Sequence, residues 1–207
     1  MRRRVITLIV IVSSILIVTL FTRLSSSTQL EQIQKVGKLV VVTRNSATTY
    51  YQGPAGPTGF EYDMLSLFAE QLNVDLVLRT PDNFADVLPM VAGGSAHIGA
   101  AGITITDKRK QSVNFGPSYL SNTQQLIFRS GSNRRPHNIG DTAGKSLHII
   151  AGSSHEESLQ ALKQTYVELD WEAIADADTE ELMRQVDEEE IDFTIADSND
   201  VKVNRRF

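Results

Sequence analysis

The 207-residue sequence contains no cysteine. That absence excludes thiol catalysis, disulfide scaffolds and cysteine-based zinc sites, and it removes the residue to which a lipoprotein anchor is attached. Basic residues are also scarce beyond residue 24, where 16 Lys and Arg stand against 25 Asp and Glu, a balance of −9. Such an acidic body lacks the basic face with which a nucleic-acid binder meets phosphates, so no nucleic-acid partner is expected. No short repeat runs through the chain and its apolar content is ordinary, which sets aside collagen-like, coiled-coil and disordered readings. His97, His137, His148 and His155 show no metal-ligand spacing. No metal, cofactor or catalytic residue is expected within this chain.

What is present begins with a leader. Arg2, Arg3 and Arg4 precede residues 5–21, an apolar run broken only by Thr7, Ser13, Ser14 and Thr19. A basic start and an apolar core describe an export signal, and a run of about 17 apolar residues also reaches the length of a membrane span. Residues 1–24 are therefore expected to be a signal peptide or membrane anchor, with the arginine end cytoplasmic and the body outside. Residues 25–37 read as a polar linker with Leu30, Ile33 and Val36 at helical spacing.

Two units of alternating strand and helix follow. Residues 38–44 (KLVVVTR) read as a buried strand and 45–59 as a loop. Residues 60–73 read as a helix burying Met64, Leu65, Phe68, Ala69 and Leu72. A strand at 74–79, a helix at 83–91 and a strand at 97–101 complete the first unit. The second opens with an extended piece at 122–129 and a loop at 130–141. It continues as a strand at 146–151, then a helix opened by a capping box of Ser154 and Glu157 that buries Leu159, Leu162 and Tyr166. A strand at 171–175, an acidic helix at 178–189 with Leu182 and Val186 inward, and a strand at 192–196 end it. The alternation argues for parallel α/β sheets in two lobes, over residues 38–121 and 122–207, which meet near residues 117–123.

In parallel α/β sheets ligands bind beyond the carboxyl ends of the strands. Four such ends fall at residues 43–46, 102–109, 152–155 and 197–199. Gly102 permits close backbone approach, Thr104 and Thr106 supply hydroxyls, and Thr106 with Asp107 can cap a turn carrying Arg109. An arginine there suits a carboxylate, which it grips with two parallel hydrogen bonds. Gly152, Ser153 and Ser154 offer an anion-binding nest at a helix start, and Asp197 suits an ammonium group. Ser154 and Asp197 serve equally well as plain helix caps.

At residues 102–119, GITITDKRKQSVNFGPSY resembles the signature of family 3 of the periplasmic solute-binding proteins, the polar amino-acid binders. The match lies in Gly-x-Thr-x-x-x-x-Arg followed by Phe-Gly-x-x-Tyr. Residues 59–64 (GFEYDM), 141–145 (DTAGK) and 195–197 (IAD) match as well, so the resemblance covers about residues 38–205. It implies a two-lobed type 2 periplasmic-binding-protein fold of the α/β class, behind the N-terminal hydrophobic segment and truncated before the final crossover to the first lobe. It also implies that Gly102, Thr104 and Arg109 meet a ligand carboxylate, with Ser153 and Ser154 on the facing lobe and Asp197 on an amine. Arg44 stands where transport-type members usually carry an acid, and Ile150-Ala151 where they often carry Ser or Lys. These departures point to a ligand other than a simple free amino acid.

The leader without a lipobox, KLVVVTRNSATTYY and HIIAGSSHEESLQALK further resemble the N-terminal part of a family of membrane-bound lytic murein transglycosylases. That resemblance implies an exported, membrane-associated module, peripheral to the outer membrane in the periplasm. Its partners would be an amino-acid or muropeptide ligand, a C-terminal transglycosylase domain absent from this chain, and the membrane if the leader is retained. Two alternatives compete. An amino-acid-binding protein of an ABC importer shares fold and site, but Arg44 and the missing lipobox count against it. An enzyme within these residues is the other, since the cyclohexadienyl dehydratases share this fold; a glycosidase would need two carboxylates across a cleft. Glu188-Glu189-Glu190 reads instead as a solvated face, and the neighbours Ser154 and His155 make no triad.

Overall fold

A computed structural model describes residues 28–131 and 135–204, so the expected leader lies outside the described residues. The first helix, α1 (Gln29–Val36), starts at a reciprocal cap. The Thr28 hydroxyl accepts from the Glu31 N–H, and the Glu31 carboxylate accepts from the Thr28 N–H. Ile33 is its buried residue and joins Leu39, Val41, Leu65 and Ala69 in one core cluster. The segment expected to be a linker thus packs a helix onto the first lobe.

The β-branched run gives β1 (Lys38–Val42), flanked in register by β4 (Asp75–Arg79) and β5 (Ile98–Gly99) in a parallel three-stranded sheet. Within the expected loop 45–59 lies a short antiparallel hairpin, β2 (Tyr51–Gly53) and β3 (Gly56–Thr58). β5 is shorter than the expected 97–101, though the His97 and Ala100 N–H groups still donate to the Val40 and Val42 carbonyls at 2.8 Å, and the His97 ring accepts the Val40 N–H at 3.0 Å.

Helix α2 (Phe60–Leu72) turns Leu65, Ala69 and Leu72 inward as expected, but Phe68 lies outside the stripe and Glu61 extends it. Glu61, Leu65 and Ala69 are buried at i, i+4, i+8, whereas Phe68 is 40% exposed. A charged residue heads the inner stripe because two donors await it there, as described below. A 3₁₀ turn (Phe84–Asp86) then leads into α3 (Val87–Ala92), whose Val87 is fully buried against Val42, Ala96 and Ala101.

The second lobe carries a mixed sheet, not the parallel one anticipated. Its order is β6 (Gln124–Phe128), β9 (Phe193–Asp197), β7 (Leu147–Ile150), β8 (Glu172–Ile174). β6, arriving from the first lobe, pairs antiparallel with β9 from Gln124–Asp197 to Phe128–Phe193, and the other pairings are parallel. Helix α4 (Ser154–Leu162) is capped by Ser153, not Ser154, and its Leu162 is 38% exposed while Leu159 is fully buried. Tyr166, in the turn beyond, packs on the core instead. The acidic helix α5 (Thr179–Asp187) buries Leu182 and Val186 against Ile150 and Ile191, as its periodicity requires. Glu188, Glu189 and Glu190 are solvent-exposed. A last helix, α6 (Ser198–Asn204), follows β9 directly. Among the described residues no helix is long and apolar enough to cross a membrane.

Candidate functional site

The strand ends singled out in the sequence converge where the lobes touch. Beyond β5, the Thr106 hydroxyl accepts from the Arg109 N–H at 3.2 Å and opens a 3₁₀ turn (Arg109–Gln111), as the spacing suggested. That turn directs the Arg109 side chain into the cleft, where the residue is only 4% exposed. Its three nitrogens each donate once. Nη1 reaches the Thr104 carbonyl at 3.1 Å in its own lobe, Nη2 the Gly152 carbonyl at 3.0 Å, and Nε the Glu157 carboxylate at 2.8 Å in the other.

The other expected residues gather around this bridge. The Ser154 hydroxyl donates to the Thr104 hydroxyl across the cleft at 3.1 Å and accepts from the Gln124 amide at 3.3 Å. Ser153 spends its hydroxyl capping α4, accepting from the Glu156 N–H. Gly152, at φ 71°, lies against the 3₁₀ turn of the first lobe, where an added Cβ would sit 2.8 Å from the Ala85 Cβ. Asp197, at the end of β9, meets the ring of His155 at 3.2 Å. The His155 Nδ1 is buried without a partner.

Arg44, leaving β1, forms the other half of the contact. Its guanidinium stacks 5.3 Å from the centre of the Phe84 ring, and its Nη2 donates to Asp200 of α6 at 3.5 Å. The second Asp200 oxygen accepts from the Thr48 hydroxyl at 2.9 Å. The Arg44 Nε is buried and unpartnered.

Behind Arg44, Gly102 takes a left-handed conformation (φ 66°) and donates its N–H to both Glu61 oxygens, at 3.1 and 3.2 Å. The Tyr119 hydroxyl donates to the same carboxylate. Burial raises the Glu61 pKa above the ordinary carboxylate value, against the hydrogen bonds from Tyr119 and Gly102 and the field of Arg44, all of which lower it. Burial and the neighbouring carboxylate push the Tyr119 phenol up as well.

Of the seven residues named from the sequence, Arg44, Thr104, Arg109 and Ser154 make contacts across the lobes, while Gly102, Ser153 and Asp197 bond within their own lobes. Gly102 is engaged with Glu61, so its N–H faces its own lobe. The sequence reading missed Glu61, Glu157, His155 and Asp200. Glu157 reads from sequence as the partner in a capping box, and Asp200 lies just beyond the strand end at residues 197–199. An acid at the head of an apolar i, i+4 stripe was the available signal for Glu61. Chemically, the cleft holds a buried cation, Arg109, among hydroxyls, with the carboxylate of Asp197 at the end of β9 in the same lobe as Ser154. Cavities of about 660 Å³, in the second lobe beside Arg129 and Lys145, and about 380 Å³, beside Tyr62 and Leu76, lie elsewhere.

Comparison with known proteins identifies the family and the fold. The family of bacterial extracellular solute-binding proteins, family 3, matches residues 39–189. Membrane-bound lytic murein transglycosylase F of Saccharophagus degradans is 45% identical over 178 residues, which are 86% of this chain and 35% of that protein. The protein of the same name from Pseudomonas fluorescens (strain Pf0-1) is 41% identical over 179 residues, 86% and 37% of the two chains. The chain thus spans about a third of the length of the curated relatives it matches. Among solved structures, holo ArgBP from T. maritima superposes with a TM-score of 0.73 at 20% identity, covering 84% of this chain and 74% of that one. The ancestral amino acid-binding protein AncCDT-1, a precursor of cyclohexadienyl dehydratase, gives 0.72 at 22% identity, covering 83% and 74%. At these identities the structures establish the fold alone.

Proposed function

The chain belongs to family 3 of the bacterial extracellular solute-binding proteins, and from that premise we propose that it is the ligand-binding module of a longer peptidoglycan lytic transglycosylase. In this reading it does no chemistry itself. Its lobes close on a small ligand carrying a carboxylate and an amine, either an amino acid or the stem peptide of a muropeptide, and closure regulates or positions the catalytic domain. Arg109, Thr104 and Ser154 meet the carboxylate and Asp197 the amine. The module is exported, and the name of its relatives together with the apolar leader favours membrane association.

One observation carries the reading: an arginine only 4% exposed stands at the meeting point of both lobes, among hydroxyls, and both lobes supply its partners. Its anion in this structure is Glu157 at 2.8 Å, the position a ligand carboxylate would take. Calorimetry of the whole chain against a panel of amino acids and a disaccharide tetrapeptide tests it. Binding of at least one is expected. Arg109→Ala should weaken that binding roughly 30-fold or more, since truncating one partner of a buried charge pair costs about 2 kcal/mol and upward. Absence of binding by every compound, or equal affinity in the variant, would overturn the reading.

A further inference from the structure

The cleft described above holds, at each charged position, an ion supplied by the chain itself. Asp200 is 6% exposed, fixed by the Thr48 hydroxyl, and presents its other oxygen to the cleft. Phe84 offers an aromatic face beside it, and the field of the buried Glu61 carboxylate, itself bonded to Gly102 and Tyr119, also reaches Arg44. Two acids and a ring face are the elements of a cation site. Arg44 fills it, with its Nη2 on Asp200 and its guanidinium over Phe84. At the opposite position Arg109 is a buried anion receptor, and Glu157 fills it with a carboxylate at 2.8 Å.

We propose that Arg44 and Glu157 are internal occupants of the ligand cleft. Arg44 sits in a guanidinium site formed by Asp200 and Phe84, and Glu157 takes the place of a ligand carboxylate on Arg109. The two pairs join the lobes through groups that a ligand would also use, so an incoming ligand competes with them. Specificity follows from the competition. A ligand displaces Glu157 by bringing its own carboxylate, while Arg44 bars a second cation from the Asp200 end. Ligands with a cationic side chain are thereby excluded, and those neutral at that end are admitted.

The buried, unpartnered Arg44 Nε and the long 3.5 Å contact to Asp200 show that this occupant is held less tightly than a bidentate pair would be. An exchangeable occupant is the kind that a substitute can replace.

The inference rests on the binding-module reading, but it is tested without that module's ligand. Arg44→Ala in the whole chain deletes the occupant and leaves its site, into which ethylguanidinium replaces the lost atoms. Millimolar ethylguanidinium is expected to raise the melting temperature of Arg44→Ala in proportion to the logarithm of its concentration. It should leave the unsubstituted chain and the double variant Arg44→Ala/Asp200→Ala unmoved. An equal response in all three, or none in Arg44→Ala, overturns the proposal. Should Arg44→Ala fold poorly, Arg44→Met keeps the stem and drops the charge. Small-angle scattering then reads a larger radius of gyration than the unsubstituted chain, and an unchanged radius overturns the proposal. Failure of every amino acid and muropeptide to bind the unsubstituted chain would count against the module reading while leaving the ethylguanidinium result intact.

Discussion

Glu61 illustrates how much a single residue can settle. It is a carboxylate on the inner face of a helix, 3% exposed, with donors from Gly102 and Tyr119 on one side and Arg44 nearby. Because burial lifts its pKa above 4.5, the folded chain holds this proton more tightly than the unfolded chain does. Its contribution to stability is therefore full below 4.5 and is lost as pH rises through the higher folded value. Denaturant unfolding across pH should show the stability of the unsubstituted chain falling, relative to Glu61→Gln, as pH climbs through that window. A constant difference would refute the assignment. Arg109 and Thr104 were legible because they follow a strand end and because the Gly-x-Thr-x-x-x-x-Arg run resembles a family signature, and Ser154 because it opens a helix after another strand end; spacing alone reads equally well as a surface loop. Glu157 and Asp200 were not legible in the same way. Each acts on a residue nearly 50 or more positions away, a relation that only the closing of two lobes creates.

At the scale of elements, local chemistry governs most of what forms. Helix α5 starts because the Asp178 carboxylate accepts the Glu181 N–H at 2.7 Å, and its stripe of Leu182 and Val186 is buried as the 3.6-residue period demands. Asp178→Ala should cost about 1 kcal/mol in chemical denaturation, the usual worth of such a cap. The exposed ladder on the same helix matters less. Arg184 holds the Glu181 pKa down to about 2, yet both groups lie in solvent, where ion pairs contribute little. Elements were legible wherever one face decides them. They were misread where a partner distant in sequence decides. Helix α2 adds Glu61 to its inner stripe and leaves Phe68 out, the His97 ring takes a β1 N–H beside β5, and β6 joins its sheet antiparallel because the chain enters that lobe from the other one.

For the whole molecule, two lobes held by a few polar bridges predict a population balance, not a fixed shape. Loss of Arg109 or Arg44 shifts that balance by removing attraction. The contact of Gly152 with Ala85 belongs to another kind of interaction. No charge is involved, and the backbone of one lobe rests directly on a side chain of the other, with no room for a methyl group between them. It is a mechanical stop. Attraction decides how often the jaws shut, but the stop decides how far, so ligands of different strength should all meet the same final aperture. Gly152→Ala would move the stop. Scattering should report a wider shut state even when ligand saturates the site. Gly144→Ala is the matched control, since Gly144 has a similar φ of 69° and nothing within 4 Å. It should carry the same backbone strain, roughly 1 kcal/mol, and leave the aperture where it was. An equal aperture in both variants would mean that the jaws are limited elsewhere.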